Sequence, residues 1–172
     1  MDLLDRLLEH DRWTTRQVLA ICSTLPPEQL HRQIPIGHGT IDETLRHMIR
    51  NVQVWTDLMC TRPIRSRDPV EHAGIVGLAE IFETSYADFA ASARELRDGN
   101  RLDDVYLDVL DEPPTPKSFG GTIAHVITHD MHHRSEILNM LGQLGVPNLP
   151  EGDVLGWEAQ WRKEQGRGAR AQ

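Results

Sequence analysis

Two of the nine histidines in this chain of 172 residues have the spacing of a metal site. His129 and His133 lie four residues apart in a segment of helical periodicity, so they are one turn apart and offset by about 40° around the helix axis. Two imidazoles so placed can converge on one ion, as in helix-borne zinc sites. Apolar residues on the same face indicate that both rings point into a core: Val126, Ile137, Met140 and Leu144.

A buried imidazole needs a partner for each ring nitrogen, and an unsatisfied one costs about 1–3 kcal/mol. A metal ion would satisfy one nitrogen of each ring, although histidine pairs of this spacing also occur by chance. A third ligand must come from another helix. His47 is the candidate, since it is in line with Val54 and Leu58 on a second predicted helix. The sequence therefore predicts a divalent metal ion held by His47, His129 and His133.

Other polar residues could surround this site. His125 lies one turn before His129 but about 80° around the axis from His133, so it could line a pocket, position a ligand or simply pack. His10 interrupts the apolar face of the first predicted helix, together with Asp11 and Thr14. Such a polar gap is expected of a helix that lines a wet cavity, and equally of a helix whose polar stretch turns to solvent. The remaining loop histidines, among them His38, are predicted to be solvated.

Hydrophobic periodicity predicts four long helices, at about 3–24, 41–60, 75–97 and from 121 to either 142 or 145. Thr40 and Glu43 form a capping box at the start of the second helix. The segment 61–74 is predicted to be a loop, 101–119 is irregular with a brief strand at 105–109, and 153–163 forms a short final helix. The predicted fold is all-α, a single domain over residues 1–172 that forms a four-helix bundle with a short C-terminal helical segment.

Amino-acid composition and net charge argue against several classes of protein. Apolar residues make up 39% and charged residues 26%, as in an ordinary soluble globular protein. No run of eighteen apolar residues could span a membrane, and the acidic N-terminus does not resemble a signal peptide, so a cytoplasmic location is expected. A net charge of −8 argues against a nucleic-acid partner. Cys22 and Cys60 are expected to be reduced core residues.

Over residues 3–150 the sequence resembles the DinB/YfiT-like family of small bacterial four-helix metalloproteins. The segments that carry the resemblance are 10–13, 39–47 with its terminal histidine, 129–137 with its two histidines, and 145–147. Glu136 stands where the family often has glutamine after His-His-Arg. The resemblance implies a metal site at His47, His129 and His133 that binds zinc or nickel, with iron also possible, and a homodimer.

The family includes thiol-dependent S-transferases and isomerases that use a low-molecular-weight thiol. Three neutral imidazoles leave a metal ion with open positions and net positive charge, which is typical of a catalytic site. The expected partner is thus a small-molecule substrate, with a thiol as the group to be activated. Glu136 and Asp130 are candidates for the proton acceptor, and Arg134, His10 and His125 are candidates for pocket or outer groups around the ligands.

Two other functions remain open at this point. The metal site could activate water, which would make the protein a metal-dependent hydrolase. It could also be a metal-binding stress-response module without turnover, in which case the protein would fill every coordination position. A third possibility is that the three histidines bind no metal.

Overall fold

The computed structural model describes residues 1–169. Its elements in chain order are α1 (Leu3–Cys22), α2 (Pro27–Leu30), α3 (Ile41–Met59), α4 (Asp68–His72), α5 (Ile75–Asp98), β1 (Val105–Asp108), β2 (Thr115–Ser118), α6 (Phe119–Gln143) and α7 (Val154–Ala169).

The four long helices α1, α3, α5 and α6 form the bundle. Helices α1 and α3 each pack against both α5 and α6. Helix α1 therefore lies diagonally opposite α3, and α5 lies diagonally opposite α6. Apolar side chains from all four helices fill the centre, with Leu45, Phe89 and Met140 at most 1% exposed. Helix α7 packs against α1 on the outside. The predicted all-α bundle with a C-terminal helix is therefore confirmed, and α3 and α6 are adjacent within it.

Short side chains fix where the long helices begin. Asp2 accepts a hydrogen bond from the backbone N–H of Asp5 at the start of α1, and Ser118 accepts one from Gly121 at the start of α6. One half of the predicted capping box forms at α3, where Thr40 accepts from the backbone N–H of Glu43 at 3.0 Å, while the Glu43 carboxylate accepts from the Thr40 hydroxyl group. Each cap satisfies a backbone donor that has no partner within its own helix.

The connections differ from the prediction in two places. The segment 61–74 is not wholly a loop, because Asp68–His72 forms the short helix α4; Pro69, which suggested a loop, sits in the first turn, where the missing N–H costs nothing. Pro27 likewise begins the short helix α2. The predicted strand after α5 is confirmed, since Val105–Asp108 pairs antiparallel with Thr115–Ser118.

The polar residues on α1 do not turn to solvent. His10, Asp11 and Thr14 are at most 4% exposed. Asp11 forms an ion pair with Arg134 of α6 inside the bundle, and His10 hydrogen-bonds the backbone oxygen of Gly152 just before α7 at 2.8 Å. The gap in the apolar face thus holds buried polar contacts to two neighbouring helices.

No helix among residues 1–169 combines the length and the apolar character that crossing a membrane requires.

Candidate metal centre

Helices α3 and α6 bring three histidine rings together. Nε2 of His47 lies 3.2 Å from Nε2 of His129, and Nε2 of His133 lies 3.2 Å from the same atom. The centroids of the three rings are 4.3–5.0 Å apart. His133 is buried at 6% exposure, while His47 and His129 are half-buried. Nε2 of His129 therefore lies within 3.2 Å of both other Nε2 atoms, in a cluster of which two rings are half-buried.

A carboxylate holds the outer nitrogen of His133. Nδ1 of His133 lies 2.7 Å from Oε2 of Glu136, which sits three residues on along α6. Because an ionised carboxylate only accepts hydrogen bonds, Nδ1 must carry the proton, and Nε2 of His133 then presents its lone pair to His129. Glu136 thus sets the tautomer that a metal ligand requires.

The central nitrogens fit a bound cation better than they fit one another. If Nε2 of His129 carries no proton, its lone pair faces the lone pair of His133. If Nε2 carries the proton, Nδ1 of His129 becomes an acceptor, and this buried atom has no hydrogen-bond partner among the described residues. Bonds of about 2.05 Å to a tetrahedral ion would separate two ligand nitrogens by about 3.3 Å. The two observed spacings of 3.2 Å, both measured from Nε2 of His129, match that separation, so the donors at these two contacts suit a divalent ion.

Electrostatics keep these imidazoles neutral. Burial, followed by the neighbouring His38 and His133, lowers the pKa of His47 to about 4. Burial and the surrounding histidines lower the pKa of His129 to about 3. The pKa of His133 is also lowered by burial, against the opposing effect of Glu136. At neutral pH all three rings carry the lone pairs that metal binding needs.

His38 is a fourth histidine at this cluster, and the sequence did not single it out. It belongs to a loop and is exposed, as predicted, but its ring lies over His47 with a centroid separation of 3.9 Å. Its ligand atom falls within 4.8 Å of those of His47 and His133. The flanking Gly37 and Gly39 have φ of +52° and +88°. In the sequence, these two glycines on either side of His38 are the signal that a tight turn forms there.

Among residues 1–169, two other combinations of side chains have ligand atoms within 4.8 Å of one another, as the ligands of one metal ion would. One joins His38 to His47 and His133, and the other joins His132 and His133 to Glu136. Neither includes His129, although its Nε2 lies 3.2 Å from both His47 Nε2 and His133 Nε2. The shorter separations favour a set that contains His129, because ligands of one small ion must nearly touch.

The remaining predicted pocket residues lie in different surroundings. His125 is exposed, and its ring packs edge-on against Trp55 with centroids 5.3 Å apart and lies 5.2 Å from the ring of His129. It lines a separate surface cavity with Trp55 and the end of β2. His10 contacts Gly152 and, edge-on, Trp157. The structure thus places His125 beside the cluster and His10 at the junction with α7.

Arg134 contacts α1 and not the cluster, and Asp130 is buried near both Asp11 and His129. Arg134 is 3% exposed and donates hydrogen bonds to Asp11 and, at 3.0 Å, to Thr15. Asp130 is fully buried, with neither oxygen hydrogen-bonded among the described residues. Burial and the nearby Asp11 raise its pKa well above the usual value. Its Oδ1 lies 3.9 Å from Nδ1 of His129, too far for a direct hydrogen bond.

A cavity of about 450 Å³ opens beside His47 and is large enough for a small molecule. Its lining includes two histidines of the cluster, five charged residues and one apolar side chain: His38, Glu43, Arg46, His47, Arg50, Arg67, Val70 and Glu71.

These features define a class of protein: a helical bundle with a cluster of histidines between two adjacent helices that could hold a metal ion. A sequence model described as the DinB family matches residues 1–165. The chain belongs to the DinB family, as the resemblance implied.

A solved structure has a similar fold. A crystal structure of a DinB-like protein from Bacillus cereus has 17% sequence identity and a TM-score of 0.63, and the match covers 83% of this chain and 90% of that chain. At this identity the likeness shows the fold alone. No curated protein matches the sequence.

Proposed function

We propose that this protein binds one divalent metal ion through Nε2 of His47, His129 and His133. The observation that carries the proposal is the pair of 3.2 Å separations that centre on Nε2 of His129. The neutral state of the rings and the proton that Glu136 fixes on His133 both support it. Imidazole suits zinc, nickel and iron, and we propose zinc or nickel as the bound ion.

We further propose that the protein is a metal-dependent enzyme with an S-transferase-like activity that uses a small thiol. A divalent ion on three neutral ligands supplies Lewis acidity, which lowers the pKa of a thiol or of water and favours its nucleophilic form. In the transfer, the thiol gives up its proton, its sulfur bonds to an electrophilic carbon, and the leaving group departs with the bonding pair. The cavity beside His47 is the place for these reactants.

The surroundings of Glu136 and Asp130 suggest what each does. Both oxygens of Glu136 are engaged, one with His133 at 2.7 Å and one with His132 at 3.2 Å, which supports a role in positioning His133. Asp130 is fully buried and faces Asp11 and Arg134, which supports a role inside the bundle. We therefore propose that solvent at the cavity mouth takes the proton of the thiol.

Elemental analysis of the purified protein tests the metal site. We expect about one equivalent of divalent metal per chain and loss of most of it in each of the variants His47→Ala, His129→Ala and His133→Ala. His72→Ala is the matched control, since His72 is exposed and hydrogen-bonds only the backbone of its own helix. Retention of metal by all three ligand variants would refute the proposed site.

Turnover of model electrophiles tests the reaction. The metal-loaded protein is incubated with an activated alkyl or aryl halide, with and without a thiol, and the product is identified by mass spectrometry. A thioether that forms only with both thiol and metal supports the transferase. Hydrolysis without thiol would favour the alternative, a metal-dependent hydrolase, for which the same neutral ligand set is suited.

A non-catalytic metal-binding module is the remaining alternative. If added thiols and anions leave the visible spectrum of a cobalt-substituted sample unchanged, the protein fills every coordination position and this alternative holds. The family resemblance also leads us to propose a homodimer in the cytoplasm, for which light scattering on the purified protein tests the oligomeric state.

A further inference from the structure

The cavity beside His47 contains three arginines, and two of them are already neutralised. Arg46 forms a two-point ion pair with Asp42, at 2.7 and 2.8 Å, and also donates to backbone oxygens of Val70 and Ala73. Arg67 pairs with Glu71 at 3.0 Å, and both of these residues line the cavity. These two guanidinium groups have little positive charge left to offer a ligand.

Arg50 has no such partner. Its Nη1 donates only to neutral oxygens, Oε1 of Gln53 at 3.2 Å and the backbone oxygen of Ser66 at 3.4 Å. Among residues 1–169 no carboxylate lies within 4.0 Å of its guanidinium. Burial, with repulsion from Arg67 and Arg65, lowers its pKa and outweighs the opposing effect of Asp57 and Glu71. A half-buried guanidinium in a positive environment attracts anions, and its planar fork matches a carboxylate.

The position of Arg50 relates it directly to the metal site. It follows His47 by three residues on α3, so both side chains leave the same face of the helix, and both line the cavity. A small molecule in the cavity can therefore contact both residues at once. Glu43 is the one lining carboxylate without a cationic partner in the described chain. It accepts a hydrogen bond from Thr40 and lies seven residues, about 10 Å along the helix, from Arg50.

We propose that this cavity binds a substrate with an anionic group, held by Arg50, and that the reactive end of the molecule then faces His47. The inference rests on the proposed function and names its substrate class: a small thiol or electrophile that carries a carboxylate. Sulfonate and phosphate share the charge and acceptor geometry that Arg50 recognises.

A charge series of thiols on the cobalt(II)-loaded protein tests this assignment. The probes are 3-mercaptopropionate, 2-mercaptoethanol and cysteamine, which are anionic, neutral and cationic, and the readout is the thiolate-to-cobalt charge-transfer absorption. We expect the anionic thiol to bind about 10-fold or more tightly than the neutral one, with cysteamine weakest, because a charge-assisted hydrogen bond is about twice as strong as a neutral one.

Variants of the arginine complete the test. Arg50→Gln should remove the preference for the anionic thiol, and Arg50→Lys should keep part of it because the charge remains while the fork is lost. Arg32→Gln removes one positive charge from an exposed position, and this variant should bind the three thiols as the wild type does. Circular dichroism of each variant confirms that it is folded.

The outcomes separate this inference from the proposed function. Equal affinities for the three thiols, unchanged in Arg50→Gln, would overturn the anion site and leave the metal site intact. If the protein takes up no cobalt, or no thiol produces the absorption, the thiol chemistry fails. Calorimetric titration with succinate, and separately with inorganic phosphate, then decides the anion site: binding that Arg50→Gln abolishes supports it, and no binding by the wild type overturns it.

Discussion

Oε2 of Glu136 lies 2.7 Å from Nδ1 of His133, so one carboxylate determines which nitrogen of that ring carries its proton. The other oxygen of Glu136 lies 3.2 Å from Nε2 of His132. Both oxygens of Glu136 are thus engaged with histidines, which supports a role in holding a proposed ligand in position.

Replacement of Glu136 tests that role. Glu136→Ala should weaken metal affinity about 10- to 100-fold, because a ligating histidine loses the group that orients it. Glu136→Gln should lose less metal affinity, since its amide oxygen can still accept a hydrogen bond from Nδ1 of His133. Competition with a chromophoric chelator measures both constants. If metal affinity is unchanged in both variants while turnover is lost, Glu136 acts as the proton acceptor.

Gly37 provides a second way to disturb the same carboxylate. A Cβ at this position would collide with Oε2 of Glu136 and lie 2.7 Å from its Cδ. Gly37→Ala should therefore displace Glu136, and metal affinity should fall about 10-fold. Gly145→Ala is the matched control, since Gly145 also has positive φ, at +77°, but open space around it.

Both alanine variants should lose about 1–2 kcal/mol of stability from the backbone strain alone. Urea unfolding measures that loss, and the chelator competition measures the metal affinity. Equal metal affinities for Gly37→Ala and Gly145→Ala would contradict the steric argument.

His38 should modulate the site without being essential to it. Its ring covers His47 at 3.9 Å, but it lies on an exposed loop. His38→Ala should retain about one equivalent of metal, with an affinity loss below about 10-fold, as expected for a group outside the ligand set. The same chelator competition, beside His47→Ala, provides the measurement. Loss of metal as complete as in His47→Ala would make His38 a ligand.

The metal-free protein should lose stability in acid because of the cluster. The pKa of His47 is about 4 and that of His129 about 3 in the folded chain, against about 6.5 in the unfolded chain. Between these values the unfolded chain binds more protons, so the free energy of unfolding falls as pH drops from about 6.5 toward 4.

Urea unfolding in the presence of a chelator, at pH 7.5 and pH 5, measures this effect. The double variant His47→Gln and His129→Gln should have a smaller difference between the two pH values than the wild type. His72→Gln, at an exposed site outside the cluster, should behave as the wild type does. Equal acid sensitivity in all three proteins would contradict the assignment of the effect to the buried rings.

The ion pair of Asp11 with Arg134 should contribute strongly to stability. Both residues are at most 3% exposed, so Asp11→Ala removes the hydrogen-bonded carboxylate of a buried guanidinium and should cost about 3–5 kcal/mol. Asp104→Ala removes a carboxylate from an exposed pair with Arg101 and should cost about 0–1 kcal/mol. Denaturant unfolding of the metal-free proteins checks both. Similar losses for the two variants would refute the argument from burial.

Local patterns were enough to predict most of the fold. The bounds of α3 and α5 follow from an apolar period of 3.6 residues and from strong end signals, such as Thr40 with Glu43. The short helix α4 was missed because Pro69 is compatible with a loop and with a first helical turn alike. Four or five residues are too few for a periodic signal to decide between the two.

The site was predicted in part. The spacing of His129 and His133 indicated that they share a helix face, and the ring separations agree with it. His38 was missed because a loop residue has no periodic constraint, so its approach to His47 depends on how the turn at Gly37 folds. The interruption of the apolar face at Asp11 was recognised, but its partner Arg134 lies 123 residues away and has no local signature.

The sequence by itself determined the long helices, most of their apolar faces and the family, because these depend on local periodicity and on short motifs. Only the tertiary structure decided which helices are adjacent, and therefore that His47 meets His129 and that Arg50 lacks an ionic partner among residues 1–169. Contacts between residues far apart in the chain depend on how whole helices pack, and packing is a property of the complete bundle.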